Sequence, residues 1–100
     1  MKEDVFNQYV DRVISLFNIS KEELFSKTKE RTPVDARQMV YYLCYKRQIR
    51  PSYIVRFMSK NDYSVEHSTI IHGIKSMEKK VIEDKDYSVI IKDIDRAVFI

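Results

Sequence analysis

Four polar residues in a row, Glu66-His67-Ser68-Thr69, are the part of this 100-residue chain best equipped to read a hydrogen-bonding partner. A carboxylate accepts from cytosine N4, hydroxyls bond several base edges, and a threonine methyl touches the methyl group of thymine. If the segment opens a helix, Ser68, His72, Lys75 and Lys79 follow one another along one face and end in cations suited to phosphates. The same residue types also belong to ordinary helix starts, where acids and hydroxyls satisfy free N–H groups. Residue types alone leave both readings open.

The tetrad lies inside a basic stretch. Between Lys27 and Lys80, twelve Lys/Arg stand against five acids, whereas the remaining residues carry six bases and ten acids. The formal net charge of +3 hides this polarity. A basic centre between acidic ends is what a polyanion-binding surface looks like, although an unevenly charged solvated surface has the same balance.

Other chemistries find less support. His67 and His72 are five residues apart and fall on different sides of a helix, and no nearby Cys or carboxylate completes a metal set. No metal or cofactor is therefore expected. His67 as a general base lacks a partnered nucleophile, so the chain reads as a non-enzyme. The one glycine, Gly73, rules out a glycine-rich phosphate loop. Inside a helix it costs about 1 kcal/mol relative to Ala and would permit close helix packing. Tyr41, Tyr42 and Tyr45 could stack on single-stranded bases, but at helical spacing they read as half-buried packing residues. Cys44 has no partner for an internal disulfide and reads as core packing in a reducing cytosol. Glu3, Asp4, Asp11 and Arg12 interrupt the apolar positions of the first 18 residues, which read as neither signal peptide nor membrane span.

The elements that must position the tetrad are helical. One Gly and two Pro in 100 residues argue for helices joined by short polar loops. Val5-Phe6, Tyr9-Val10, Val13-Ile14 and Phe17 mark a first helix, which Asn18 to Ser20 breaks. Ser20 and Glu23 have capping-box spacing and open a short helix burying Leu24 and Phe25. A basic loop over 27–31 follows. Thr32 is the expected N-cap and Pro33 the first residue of a helix to about Lys46, with Ala36, Met39, Val40 and Leu43 inward. Arg37, Gln38, Tyr41, Tyr42 and Tyr45 are assigned to its other faces. Pro51 starts a shorter helix to about Met58, burying Ile54 and Val55 or Met58. Ser64 is the expected cap of a long helix from Val65 to about Glu83, with Ile70, Ile74, Met77 and Val81 inward and Ile71 and Ile82 widening the stripe. A last helix is expected near 87–97; its Val89-Ile90-Ile91 run also suits a strand. The fold class is a compact all-α bundle of five or six helices in a single domain, 1–100, with a helix-turn-helix over about 51–83.

Three stretches, two of them holding a local motif, carry a family resemblance. Ser26-Lys27-Thr28-Lys29-Glu30-Arg31, then Ala36-Arg37-Gln38-Met39, then Glu66-His67-Ser68-Thr69-Ile70-Ile71-His72 resemble the C-terminal DNA-binding domain of the bacterial replication initiator DnaA. In order and spacing the likeness runs from Val5 to Val81, and it implies a Trp-repressor-like helix-turn-helix. It also implies that Arg31 enters the minor groove, that Arg37 and Gln38 hold the phosphate backbone, and that Glu66, His67, Ser68 and Thr69 read bases in the major groove. Lys27, Lys29, Lys46, Lys60, Lys75 and Lys79 complete the expected phosphate contacts. Three features depart from the family pattern. Glu66 replaces the usual Asp and carries its carboxylate outward by a methylene. The segment 59–65 replaces a short Gly-Gly-Arg turn, and Thr28 and Glu30 stand where cations are common.

The expected function is sequence-specific binding of double-stranded DNA at a site related to the DnaA box, in a replication origin or regulatory region. The expected protein is cytoplasmic, monomeric and without ATPase activity of its own. Met1 and the short length suit a free-standing phage or mobile-element gene, or an excised domain. The alternative is a helical interaction module, or a competitor or regulator of a cellular replication initiator, using the tyrosine-rich helix or the tail Val98-Phe99-Ile100 as its contact.

Overall fold

The computed structural model describes residues 1–98, in which six helices follow one another with no strand among the described residues. They are α1 (Lys2–Phe17), α2 (Lys21–Leu24), α3 (Arg31–Lys46), α4 (Pro51–Ser59), α5 (His67–Glu83) and α6 (Lys85–Ala97). The all-α bundle is thus as the periodicity predicts. The Val89-Ile90-Ile91 run is helical and turns Ile91 into the core.

Local chemistry sets the boundaries. Asn18 ends α1 in the left-handed region at φ 55°, a conformation that Asn tolerates better than most residues. The capping box of α2 is present in both halves: the Glu23 amide donates to Ser20 Oγ at 3.0 Å and the Ser20 amide to Glu23 Oε1 at 3.1 Å. Two expected caps are not used. Thr32 lies inside α3, which begins at Arg31 with Glu30 as N-cap, and the hydroxyl that accepts from the Glu30 amide, at 3.2 Å, is that of Thr28. Pro33 is then the third helical residue, a position whose N–H has no intrahelical acceptor, so the ring still costs no bond. Ser64 likewise stays outside α5, whose N-cap is Glu66.

α3 is the axis of the bundle and packs against α1, α2, α4 and α5. It therefore has little free face, and Tyr41, Tyr42 and Arg37 are only 3%, 5% and 6% exposed, contrary to their assignment to outer faces. Tyr45, near its end, is half exposed. Around it lie Phe6, Tyr9 and Val13 of α1, Ile54 and Met58 of α4, and Ile70 and Met77 of α5. Each fully buried large apolar side chain contributes about 1.5–3 kcal/mol. Cys44 is also fully buried; burial pushes its thiol well above the ordinary range, so it packs as a small apolar group.

Two elements bear on α5. α4, a seven-residue connection and α5 form a short helix, turn and long helix, which sets the first turn of α5 at the surface. Along α5, Ile70, Ile74 and Met77 are buried, but Ile71 and Ile82 are exposed, so its inward stripe is narrower than expected. α6 closes the bundle where the Tyr9 hydroxyl donates to Asp95 at 2.5 Å and Arg47 donates to the same carboxylate at 2.9 Å. Of the apolar tail, Val98 is buried, and Phe99 and Ile100 lie outside the described residues.

Candidate nucleic-acid interface

Glu66, His67, Ser68 and Thr69 are all at the surface at the start of α5. Glu66 as N-cap makes no side-chain bond to the helix amides. Among the described residues, no side chain of the tetrad is hydrogen-bonded. The first turn closes through the backbone alone, with the Thr69 and Ile70 amides donating to the Glu66 carbonyl at 3.1 and 3.2 Å. Helix capping therefore does not account for the four residue types. Their donors and acceptors are held at the surface without internal partners.

Behind the tetrad, His72, Lys75 and Lys79 are also exposed, as the spacing predicts. One side of α5 borders a cleft of about 250 Å³, lined among others by Lys27, Lys29, Gln38, Thr69 and His72. The cleft brings the loop cations and the start of α5 together from residues some 40 positions apart in sequence. On the other side, Tyr45, Pro51, Ile71, Ile74, Lys75 and Glu78 line a second groove.

The expected phosphate contacts divide into two groups. Lys29, Lys46, Lys75 and Lys79 are exposed, and no ion pair engages them among the described residues. Lys46 stands apart from the cleft, beside Gln48 and Arg50 at the α3–α4 turn. Of the others, Arg37, Lys60 and Lys27 are engaged by groups of the protein itself. Arg37, read as a backbone clamp on DNA, is buried; its guanidinium donates to the carbonyls of Leu24, Ser26 and Thr28 at 2.8, 3.0 and 2.9 Å. A planar cation with several donors suits three converging carbonyls, which engage it within the fold. Lys60 pairs with Glu3 of α1 at 2.8 Å, and Lys27 donates to the Ser64 carbonyl. Gln38 is half-buried at the cleft wall.

Arg31 extends from the first turn of α3, its side chain 88% exposed, with Asp35 3.8 Å from its Nε. Asp35 also accepts from Lys80 at 2.9 Å, which ties the start of α3 to α5. Sequence reading passed over Asp35 and Tyr63. Tyr63 is buried in the connection before α5, with the Lys27 ammonium 4.0 Å from its ring centroid. A large aromatic inside a polar turn is the signal that marks it. No group of His, Cys, Asp and Glu side chains is arranged to hold a metal ion among the described residues. No helix there is long and apolar enough to cross a membrane.

The family model described as bacterial DnaA protein helix-turn-helix matches residues 7–77, from within α1 to the third turn of α5. The chain belongs to this family. Among its DnaA relatives, the chromosomal replication initiator protein of Flavobacterium psychrophilum is 30% identical over 98% of the chain. That of Citrifermentans bemidjiense is 32% identical over 83%. The chain spans about a fifth of the length of these initiators, 20% and 18% respectively. No match was found among solved structures. The DnaA match includes the loop, Arg37-Gln38 and the tetrad, and leaves α6 outside.

Proposed function

We propose that this chain binds double-stranded DNA sequence-specifically, at a site related to the one its DnaA relatives recognise. The observation that carries the reading is the exposed, internally unpartnered tetrad at the start of α5, beside a cleft of loop cations. In a helix-turn-helix that end of the second helix enters the major groove. Glu66, His67, Ser68 and Thr69 then read base edges. Arg31 reaches into the adjacent minor groove, and Gln38, Lys29, Lys46, Lys75 and Lys79 hold phosphates. Arg37 and Lys27 act from behind, holding the loop in place, and Lys60 makes no contact. The role is binding, without ATP hydrolysis by these hundred residues, in the compartment that holds the bacterial chromosome, and with the chain acting as one domain and as a monomer.

Selection of bound duplexes from a random library, followed by footprinting of the selected sequence, tests the reading. A defined motif with major-groove protection beside a minor-groove contact is the expected result. His67→Ala should lower affinity for the selected duplex by about 1–3 kcal/mol and leave random duplexes unchanged. Equal binding of selected and random duplexes by the wild type would sink the assignment.

A second reading, that of an interaction module competing with or regulating a cellular initiator, has one observation in its favour. Tyr45 and Ile71, 50% and 40% exposed, border an apolar groove beside the tetrad. A salt titration separates the two, because DNA binding falls steeply with salt and an apolar interface does not.

A further inference from the structure

The connection between α4 and α5 does more than join them. After α4, the Asn61, Asp62 and Tyr63 amides donate to Met58, Ser59 and Met58 carbonyls at 2.9, 3.0 and 3.1 Å, and Asp62 takes φ 59°. This reversal turns the Tyr63 ring inward, where it is 8% exposed. Two cations lie over it. The Lys27 ammonium is 4.0 Å from the ring centroid and the Arg37 guanidinium 5.1 Å. Lys27 belongs to the basic loop, and Arg37, on α3, holds that loop through the carbonyls of Ser26 and Thr28. Lys27 also donates to the carbonyl of Ser64, the residue after Tyr63 and three before His67. Tyr41 lines the same cleft, and burial, with Tyr63 nearby, raises its hydroxyl above the ordinary tyrosine value.

We infer that Tyr63 is a positioning residue that couples the basic loop to the start of α5, fixing the spacing between two separate DNA contacts. A cation above an aromatic face is attracted by the ring quadrupole, and more strongly when water is excluded. Because Lys27 moves with the loop and Arg37 is bonded to the loop carbonyls, displacing the loop disturbs both interactions, and the Lys27 bond carries that displacement to the backbone entering α5. Arg31 and the tetrad are thereby presented as one unit. The inference rests on the proposed DNA-binding role for its purpose, but the coupling itself exists without DNA.

Amide hydrogen exchange of the free protein tests the coupling, using Tyr63→Leu, which keeps apolar bulk, and Tyr63→Phe, which keeps the ring face. Tyr63→Leu should speed exchange in both the loop 27–31 and the segment 64–69 by about three- to thirtyfold, with Tyr63→Phe close to wild type. Faster exchange in 64–69 alone would overturn the inference, as would a Phe variant behaving like the Leu variant. If Tyr63→Leu does not fold, Lys27→Met removes the nearer cation and must loosen both segments; loosening of only one refutes the coupling. With selected DNA, Tyr63→Leu should lose preference over random duplex while keeping random-duplex affinity, and retained preference counts against the inference. A wild-type protein that prefers no duplex, yet shows coupled exchange, would refute the DNA-binding role and leave the coupling standing.

Discussion

Gly73 of α5 lies so close to Tyr41 of α3 that a Cβ added to it would stand 3.0 Å from the ring carbon Cδ2. The same Cβ would meet Gln38 Cγ at 3.2 Å. The glycine lets the two helices approach closely here, and both neighbours wall the cleft beside the tetrad.

Gly73→Ala should therefore destabilise the protein, although Ala is the better helix former by about 1 kcal/mol. Gln38 is half-buried and can rotate away, but the Tyr41 ring is 3% exposed and shifts only by giving up core packing. Overpacking costs about 1–3 kcal/mol, which outweighs the gain in propensity. Urea unfolding measures the difference; a variant more stable than wild type would show that α5 can shift freely on α3.

Arg37 separates a structural cation from a DNA-binding one. Its guanidinium satisfies three carbonyls of the α2 region and the loop. Arg37→Ala should cost about 2–4 kcal/mol of stability, because buried acceptors are stranded. Arg37→Lys should recover little, since one ammonium cannot copy the planar fork. The salt slope of DNA binding by Arg37→Lys should stay unchanged; a slope reduced by about one unit would restore a direct phosphate contact.

The sequence was most legible where a local rule acts alone. The Ser20–Glu23 capping box, the Pro51 helix start and the buried stripe Ile70-Ile74-Met77 needed only spacing. It was least legible in α3. Amphipathic periodicity assumes one wet face, and a helix packed on several sides has little of one, so spacing sends Tyr41, Tyr42 and Arg37 outward when the fold buries them. The tetrad's place was legible from composition and resemblance together. What residue types could not tell is whether the polar side chains cap the helix; only their geometry separates those uses. The destinations of Lys27, Arg37 and Lys60 depend on contacts across 37, 13 and 57 positions, beyond any local pattern.

The attachment of α6 should depend on pH. Burial works against the Asp95 charge, but bonds from the Tyr9 hydroxyl and the Arg47 guanidinium outweigh it and hold the carboxyl below its ordinary value. A lowered folded-state value means the stabilisation is complete above the ordinary carboxylate range and is lost as pH falls through the folded value. Asp95 is half exposed, so solvent screening keeps the effect modest. Thermal stability of the wild type should fall on acidification more than that of Asp95→Asn. Parallel pH profiles for the two proteins would remove Asp95 from the acid response.

Lys75 and Lys79 should differ from Lys60 in a DNA titration, although all three are surface lysines in the basic stretch. The first two lie on the exposed face of α5 behind the tetrad with no ion pair among the described residues, whereas Lys60 is held by Glu3 at 2.8 Å. Every phosphate that a cation neutralises adds about 0.9 unit to the steepness of the log–log salt dependence on duplex DNA. Lys75→Ala and Lys79→Ala should each reduce the slope by about that amount and weaken selected and random duplexes alike. Lys60→Ala should leave the slope unchanged and alter stability by about 0–1 kcal/mol, the range of an exposed ion pair. A slope lowered by Lys60→Ala but not by Lys75→Ala would place the duplex across α4 instead of along α5, and the assignment of the reading helix would have to move with it.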